Sequence, residues 1–296
     1  TAGNLHKRDH EPFNDTAYAE FIVCDGPLSG GRQIGGTNAD YNNIEEFLFS
    51  LSRCGIDDSL VVKLAPGEYA PFTMTPVNGL SEQHYIVYES LDPENPAVLY
   101  ADATTGTDQI VDITAIGNMR FRNLTFVRRD GALTNMVAMS PVSDNCRFEN
   151  CSFIDSLENP VAAMRIAAML DNSYADNMLV EGCTFEGGLV GVSLSGQSTT
   201  NRSIGNTVRR SLFRNQYNKA VDVENQTNID IDHNEMYDVL TNNSYVLQLL
   251  HCYGTVSVRG NRILTTNGAG AIGVSDMHGT QSNHAIVANN MIVCND

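Results

Sequence analysis

The sequence predicts an all-β chain wound into a parallel β-helix, with one short α-helix near its start. Three observations carry this expectation. A polar–apolar six-residue pattern recurs seven times after residue 120, Asn supplies 30 of the 296 residues with half of them after residue 200, and helical periodicity is confined to one segment near residue 50. Short apolar runs joined by Asn-rich corners describe a chain that turns often.

The recurring segments are Phe121–Phe126, Phe148–Phe153, Val180–Phe185, Val208–Phe213, Ile231–Met236, Val258–Ile263 and Val287–Ile292. Their last residues are separated by 27, 32, 28, 23, 27 and 29 positions, a mean close to 28. A period in the twenties with alternating segments fits a solenoid of strands and turns. The Leu-x-x-Leu-x-Leu pattern of leucine-rich units does not recur, and helix-pair repeats need a periodicity that these coils lack. In a parallel β-helix each coil lies about 4.8 Å above the last, and equivalent side chains stack into columns. Inward columns must then be apolar. Phe126, Phe153, Phe185, Phe213, Met236, Ile263 and Ile292 form one such column, with Cys151 and Cys183 two positions earlier as stacked, inert thiols. Asn123, Asn150, Asn234, Asn261 and Asn290 gather at a neighbouring corner, in registers that differ by one. There Asn tolerates left-handed backbone, and its amide can bond from coil to coil.

Ahead of the repeats, Ile44, Phe47, Leu48 and Leu51 keep helical spacing. Asn42 or Asn43 can cap the helix, Glu45 and Glu46 suit its first turn, and Gly55 stops it. A helix over about 42–54 would cover the open end of the solenoid, which otherwise exposes unpaired strands. Strands at Leu60–Leu64, Tyr85–Glu89, Ala97–Tyr100 and Gln109–Thr114 make irregular first coils within 60–117, and regular coils run over 118–296. The polar residues 1–20, with His6, Lys7 and His10, read as an extended arm, which leaves 21–296 as a single β-helix domain. The run Met291–Asp296 stops straight after apolar residues with no capping element, so a fragment of a longer chain is expected.

Lys and Arg total 18 against 35 Asp and Glu, a net charge of −17. Binding a phosphate backbone needs a basic face, so nucleic acid is excluded as a partner. An anionic membrane surface is disfavoured for the same reason, and no apolar run is long enough to insert across a bilayer. The seven Cys show no CxxC pair and no zinc spacing, so no structural metal site is expected, and their odd number argues against a complete disulfide framework. No leader is visible at Thr1–Asn4, which suits a cytosolic protein or one whose leader has been removed.

The segment Val61-Val62-Lys63-Leu64-Ala65-Pro66-Gly67-Glu68-Tyr69, after an amphipathic helix and before Asn-x-x-Phe coils, resembles the opening of secreted right-handed parallel β-helix proteins of the pectin-lyase-like superfamily. The likeness covers roughly residues 40–296 and implies a right-handed helix, secretion to an extracellular, cell-surface or periplasmic space, and work on polysaccharide. Signatures of particular activities do not carry over. Asp276-Met277-His278-Gly279 lacks the first Gly of a polygalacturonase-like Gly-His-Gly, the epimerase-type Asp-Pro-His-Glu is absent, and Ile229-Asp230-Ile231-Asp232-His233 only echoes a pectate-lyase-like Trp-Ile-Asp-His.

Coil geometry supplies candidates independently. If the Val, Leu and Ile of residues 164–166, 192–195, 221–224, 247–251 and 272–276 face inward, then Arg165, Ser193, Ser195, Asp222, Glu224, Gln248, His251 and Asp276 project from one outer sheet. Asp222, Glu224, His251 and Asp276 are the candidate catalytic groups, because carboxylates flanking an imidazole can separate their pKa values and pass a proton. Glu224 and His251, 27 residues apart, are expected to touch, as are His251 and Asp276. Arg165, Ser193, Gln248 and Tyr253 are the candidate substrate contacts, and Tyr245 is a second ring placed to stack on sugar. No metal site is assigned, and Ca²⁺ held by paired carboxylates is the one cofactor admitted. Twelve of the 18 basic residues are Arg within the coils, available either to line a path for anionic sugar or to pair with Asp and Glu.

The expected function is a secreted carbohydrate-active or glycan-binding β-helix, a polysaccharide lyase or glycoside hydrolase if it is an enzyme, working as a monomer. The rival is a non-catalytic surface or adhesin-type module that presents a rigid face. A third reading, a cytosolic protein with free thiols, gains if Cys24, Cys54 and Cys252 are reduced.

Overall fold

The computed structural model describes residues 24, 26–102, 104–130, 135–140, 143–155, 162–166, 175–240, 245–266, 270–280 and 282–295. The arm read over 1–20 lies outside them. The described chain is a right-handed parallel β-helix with one short helix near its start, as the sequence predicts. Three faces run along it. The first holds ten strands from Leu28–Ile34 to Ala285–Ala288, the second nine from Glu68–Tyr69 to Met291–Asn295, and the third eight from Phe72–Met74 to Gly270–Ser275. A narrow ladder follows the third face, where Ser203–Ile204 pairs with Gln226–Thr227 and single bridges continue it to Tyr253 and His278.

The inward column of the second face has the predicted register. Phe126 pairs with Phe153, Phe153 with Phe185, Phe185 with Phe213, and the column runs on through Met236 and Ile263 to Ile292. The four Phe rings stack face to face at 4.6, 4.8 and 4.6 Å. Each is fully buried, so every coil gains both the area term and a ring contact with the next. Tyr88, Phe121 and Phe148 form a second stack on the first face.

The Asn residues of the corner resolve into two adjacent columns. Asn123, Asn150, Gly182, Arg210, His233, Gly260 and Asn289 all have φ between 51° and 64°, so this position needs left-handed backbone, which Asn and Gly adopt most readily. The next position is buried and holds Leu124, Cys151, Cys183, Ser211, Asn234 and Asn261, with Asn290 in line above. Here the side chains change from apolar to amide along the stack. Asn234 Nδ2 donates to Val208 O at 2.9 Å and to Asn261 Oδ1 at 3.1 Å, and Asn261 Nδ2 repeats this to Ile231 O and Asn290 Oδ1. The backbone N–H groups of Ser211, Asn234 and Asn261 also donate to the Asn oxygen of the following coil. Cys151 and Cys183 fill the same column lower down and donate to Phe121 O and Phe148 O. Burial, followed by the neighbouring Cys151, pushes the Cys183 thiol well above its ordinary range, consistent with an inert role.

The helix spans Ile44–Cys54. Asn43 is its N-cap, accepting from Glu46 N–H at 2.9 Å, and Glu46 in return accepts from Asn42 N–H at 2.9 Å. Gly55 closes it with φ 64°. Ile44, Phe47 and Leu51 are buried, and Phe47 packs edge-on against Tyr41 and Tyr88, so the helix plugs the end of the core. Where the strand Ile56–Leu64 turns into Glu68–Tyr69, Tyr69 Oη donates to Ala65 O at 2.8 Å and Ile34 O at 3.1 Å, and burial raises its pKa.

Two features depart from the sequence expectation. A strand at Leu28–Ile34 precedes the helix and pairs with Ile56–Leu64, although Leu-Ser-Gly-Gly-Arg-Gln-Ile carries no alternation. It forms because the exposed edge of Ile56–Leu64 supplies a complete set of backbone partners, whatever the added strand's side chains. Cys24 and Cys54 are joined in a disulfide that fastens residue 24 to the end of the helix.

Replacing Asn261 by Ala removes a buried amide that bonds to the coils on both sides of its own, and should lower unfolding free energy in urea by about 3 kcal/mol. Phe185→Ala should cost about 3–5 kcal/mol, since it opens a cavity between two stacked rings. Thiol titration offers a separate check: Cys294 alone should react in the native protein, and the buried Cys146, Cys151, Cys183 and Cys252 should follow only on unfolding. Burial pushes Cys146 to about 12 and Cys252 to about 11, which suppresses their thiolates.

Candidate functional site

The third face sorts the predicted residues into columns. Val192, Leu194, Val221, Val223, Leu247 and Leu249 face the core, so the residues between them face out. Ser193, Asp222 and Gln248 share one outward register and meet Gly273 on the next coil, and the Arg165 backbone pairs with Ser193 in the same row. Asp222 accepts an ion pair from Lys219 Nζ at 3.0 Å. Ser195, Glu224, Leu250 and Ser275 make the adjacent outward column.

The expected Glu224–His251 contact therefore fails. Glu224 is in register with Leu250, because this coil is one residue shorter in register than the 27 assumed, and no hydrogen bond or ion pair joins Glu224 to His251 among the described residues. His251 falls in the corner that follows the strands. Asn225, His251 and Asp276 occupy that corner with φ 53°, 51° and 52°, in the left-handed region that Asn, Asp and His visit more readily than other side chains.

The expected His251–Asp276 contact is present. His251 Nδ1 lies 2.5 Å from Asp276 Oδ2, and the other carboxylate oxygen, Oδ1, lies 2.6 Å from His278 Nε2. His251 is 36% exposed, Asp276 41% and His278 55%, so the triad faces solvent. Hydrogen bonds from His251 and then His278 hold the Asp276 carboxyl below the usual carboxylate range. An ionised carboxylate only accepts, so both imidazoles present N–H groups to it. Their other nitrogens, Nε2 of His251 and Nδ1 of His278, are then left as bases when the rings are neutral.

Tyr253 belongs to the same corner. Its ring stacks on His278 at 4.6 Å, and the Arg202 guanidinium lies over its other face at 3.3 Å. The order Arg202, Tyr253, His278, Asp276, His251 thus links side chains over a span of four coils. Tyr253 is sandwiched, so its faces are not free to stack on sugar. Tyr245, 44% exposed, lies flat over Gly270 and Gly273, where an added Cβ would overlap the ring. Only glycine leaves that ring its seat.

Sequence reasoning missed Arg202 and His278 as members of the site. The sequence signal that could have marked His278 is its position only two residues past Asp276. Arg202 sits on a turn whose path no periodicity announces. Among the described residues no group of three or more His, Cys, Asp or Glu side chains is placed to hold a metal ion. Among them, no helix is long and apolar enough to cross a membrane.

No family model matches the chain, and no curated protein does. Solved structures do. An alginate lyase from Paenibacillus sp. str. FPU-7 is similar over 83% of this chain and 91% of its own, with a TM-score of 0.50 and 13% identity. A lacto-N-biosidase from Eubacterium ramulus covers 88% of this chain and 67% of its own at TM-score 0.44 and 10% identity. A pectin methylesterase from Aspergillus niger covers 90% and 91% at TM-score 0.42 and 12% identity. The likeness to the alginate lyase structure is one of fold, the parallel β-helix.

Proposed function

We propose that the protein is a secreted, monomeric carbohydrate-active β-helix that engages an extracellular glycan along the third face and its following corner. The observation that carries this reading is Asp276 bridging His251 and His278 in solvent, beside the outward column of Ser193, Asp222 and Gln248. An imidazole oriented by a carboxylate is the usual arrangement for moving a proton at neutral pH. Polar outward side chains repeating at strand spacing suit a ligand that itself repeats. The Cys24–Cys54 disulfide supports an oxidising, extracellular compartment over the cytosolic reading.

Within this reading His251 is the proton acceptor, and Asp276 fixes its tautomer. Asp222 and Glu224 stand two residues apart on one strand, so their backbones are separated by about 6.6 Å. That spacing admits a lyase or a hydrolase, and Ca²⁺ between the two carboxylates and an acidic sugar remains part of the proposal.

A second reading is favoured by a specific observation. Asp222 is already neutralised by Lys219, and Glu224 is out of register with His251, so acid and imidazole do not converge on one reacting atom. In that case the column is a binding face of a non-catalytic surface module.

Incubation with acidic and neutral polysaccharides, with and without Ca²⁺, should give either unsaturated product, followed by ultraviolet absorbance, or new reducing ends. Binding without turnover identifies the second reading, and neither binding nor turnover ends the glycan proposal. If the protein is an enzyme, His251→Asn should cut turnover about a hundredfold or more with little change in melting temperature, because the residue is solvated and Asn tolerates the left-handed backbone there. The pH dependence has a definite sign. Because the Asp276 carboxyl is held low, its bonds to the imidazoles persist as pH falls through the ordinary carboxylate range and are lost only below it. Carboxyl-carbon NMR should show the Asp276 titration moving upward in His251→Ala.

A further inference from the structure

We propose a separate anion site in the groove where the chain enters the first face, with Arg120 and Arg147 holding the carboxylate or sulfate substituent of an acidic glycan. In a chain of net charge −17, carboxylates are the default partners of Arg. Seven coil arginines follow that default, including Arg122 with Glu149, Arg209 and Arg210 with Glu181, and Arg262 with Glu235. Arg120 and Arg147 do not. Among the described residues neither forms an ion pair, although the two are direct register partners, which sets their backbones about 4.8 Å apart. Like charges directly opposite each other on a sheet repel, and the flanking residues of the column, Val87 and Leu179, supply no counter-charge. The missing partner is an anion from outside the chain.

The surroundings are built to receive one. Arg120 lies flat on the Tyr85 ring at 3.4 Å, which fixes the guanidinium plane and leaves its N–H edge for an in-plane, two-point contact with an oxyanion. The two arginines line a groove of about 370 Å³ together with Tyr85 and the amides of Asn118, Asn145 and Asn177. These three Asn share the left-handed corner, with φ 59°, 57° and 55°, so their amides repeat coil by coil beside the cations. Asn145 Nδ2 donates to Asn118 Oδ1 at 3.2 Å. Glu82 is the one carboxylate among the lining residues, and it is exposed. The volume matches a sugar ring and its substituent rather than a bare ion. The glycan as carrier of the anion rests on the function proposed above. The cationic site itself does not, since it lies on another face from His251 and Asp276.

Calorimetric titration of the intact protein distinguishes the outcomes, using a galacturonic acid trisaccharide, a sulfated galactan oligosaccharide, neutral cellotriose and inorganic sulfate. At least one of the two acidic sugars should bind, more weakly at higher salt, and the one that binds identifies carboxylate or sulfate. Arg147→Gln should weaken that affinity about tenfold or more, and Arg120→Lys, which keeps the charge but loses the planar fork, should do the same. Melting temperatures of both variants should stay near that of the parent protein. Failure of both acidic sugars to bind, binding that survives both substitutions, equal binding of cellotriose, or binding of inorganic sulfate alone would each overturn the proposal. The readout is affinity, so absence of turnover on any glycan leaves it intact.

Discussion

Each coil hydrogen-bonds to the next through three parallel ladders, and this places every side chain about one strand spacing from its counterpart. A residue type that is favourable beside its own kind is therefore reinforced along the axis, and one that is unfavourable is penalised twice. The Phe column shows the first case, with rings stacked at 4.6 to 4.8 Å. The amide column shows how a polar group enters the core on the same terms: Asn234 and Asn261 are fully buried and bonded both to backbone and to the next amide. The paired arginines of the first face are the second case, tolerated only at the surface.

The same rule organises charge. Glu181 takes Arg209 and Arg210 from the following coil, and Glu149 takes Arg122 from the preceding one, so most ion pairs join neighbouring coils rather than neighbours in sequence. These pairs are partly solvated and each contributes little to stability. Their larger effect is to keep the many carboxylates from repelling one another along a column. Asp276 is handled differently, being held by two imidazoles instead of a permanent cation, so its surroundings carry a charge that depends on pH.

Much of the fold was legible because a buried column must repeat its chemistry at the coil period. Phe126 through Ile292 could be aligned from alternation alone, and the cap helix from Asn43, Glu46 and Gly55. Leu28–Ile34 was not legible, since backbone pairing to an open edge leaves no mark on side-chain pattern. Nor was Cys24–Cys54, because the partner of a cysteine is settled by approach in space. At the site, His251 and Asp276 were legible as neighbours, whereas Glu224 was misplaced by one residue because coil lengths vary. A slip of one moves a side chain to the next column. Left-handed corners blur the reading further. Asp and His at 276 and 251 satisfy a backbone need that Asn meets at 225, so their residue types alone do not announce chemistry.

The amide column also has a direction. Ser211, Asn234 and Asn261 each donate their backbone N–H to the oxygen of a side chain that lies later in the chain. During synthesis a newly emerged coil of this region holds an unanswered donor until the following coil arrives to accept it. Growth from the ribosome would then proceed like a zip whose every tooth is locked by its successor.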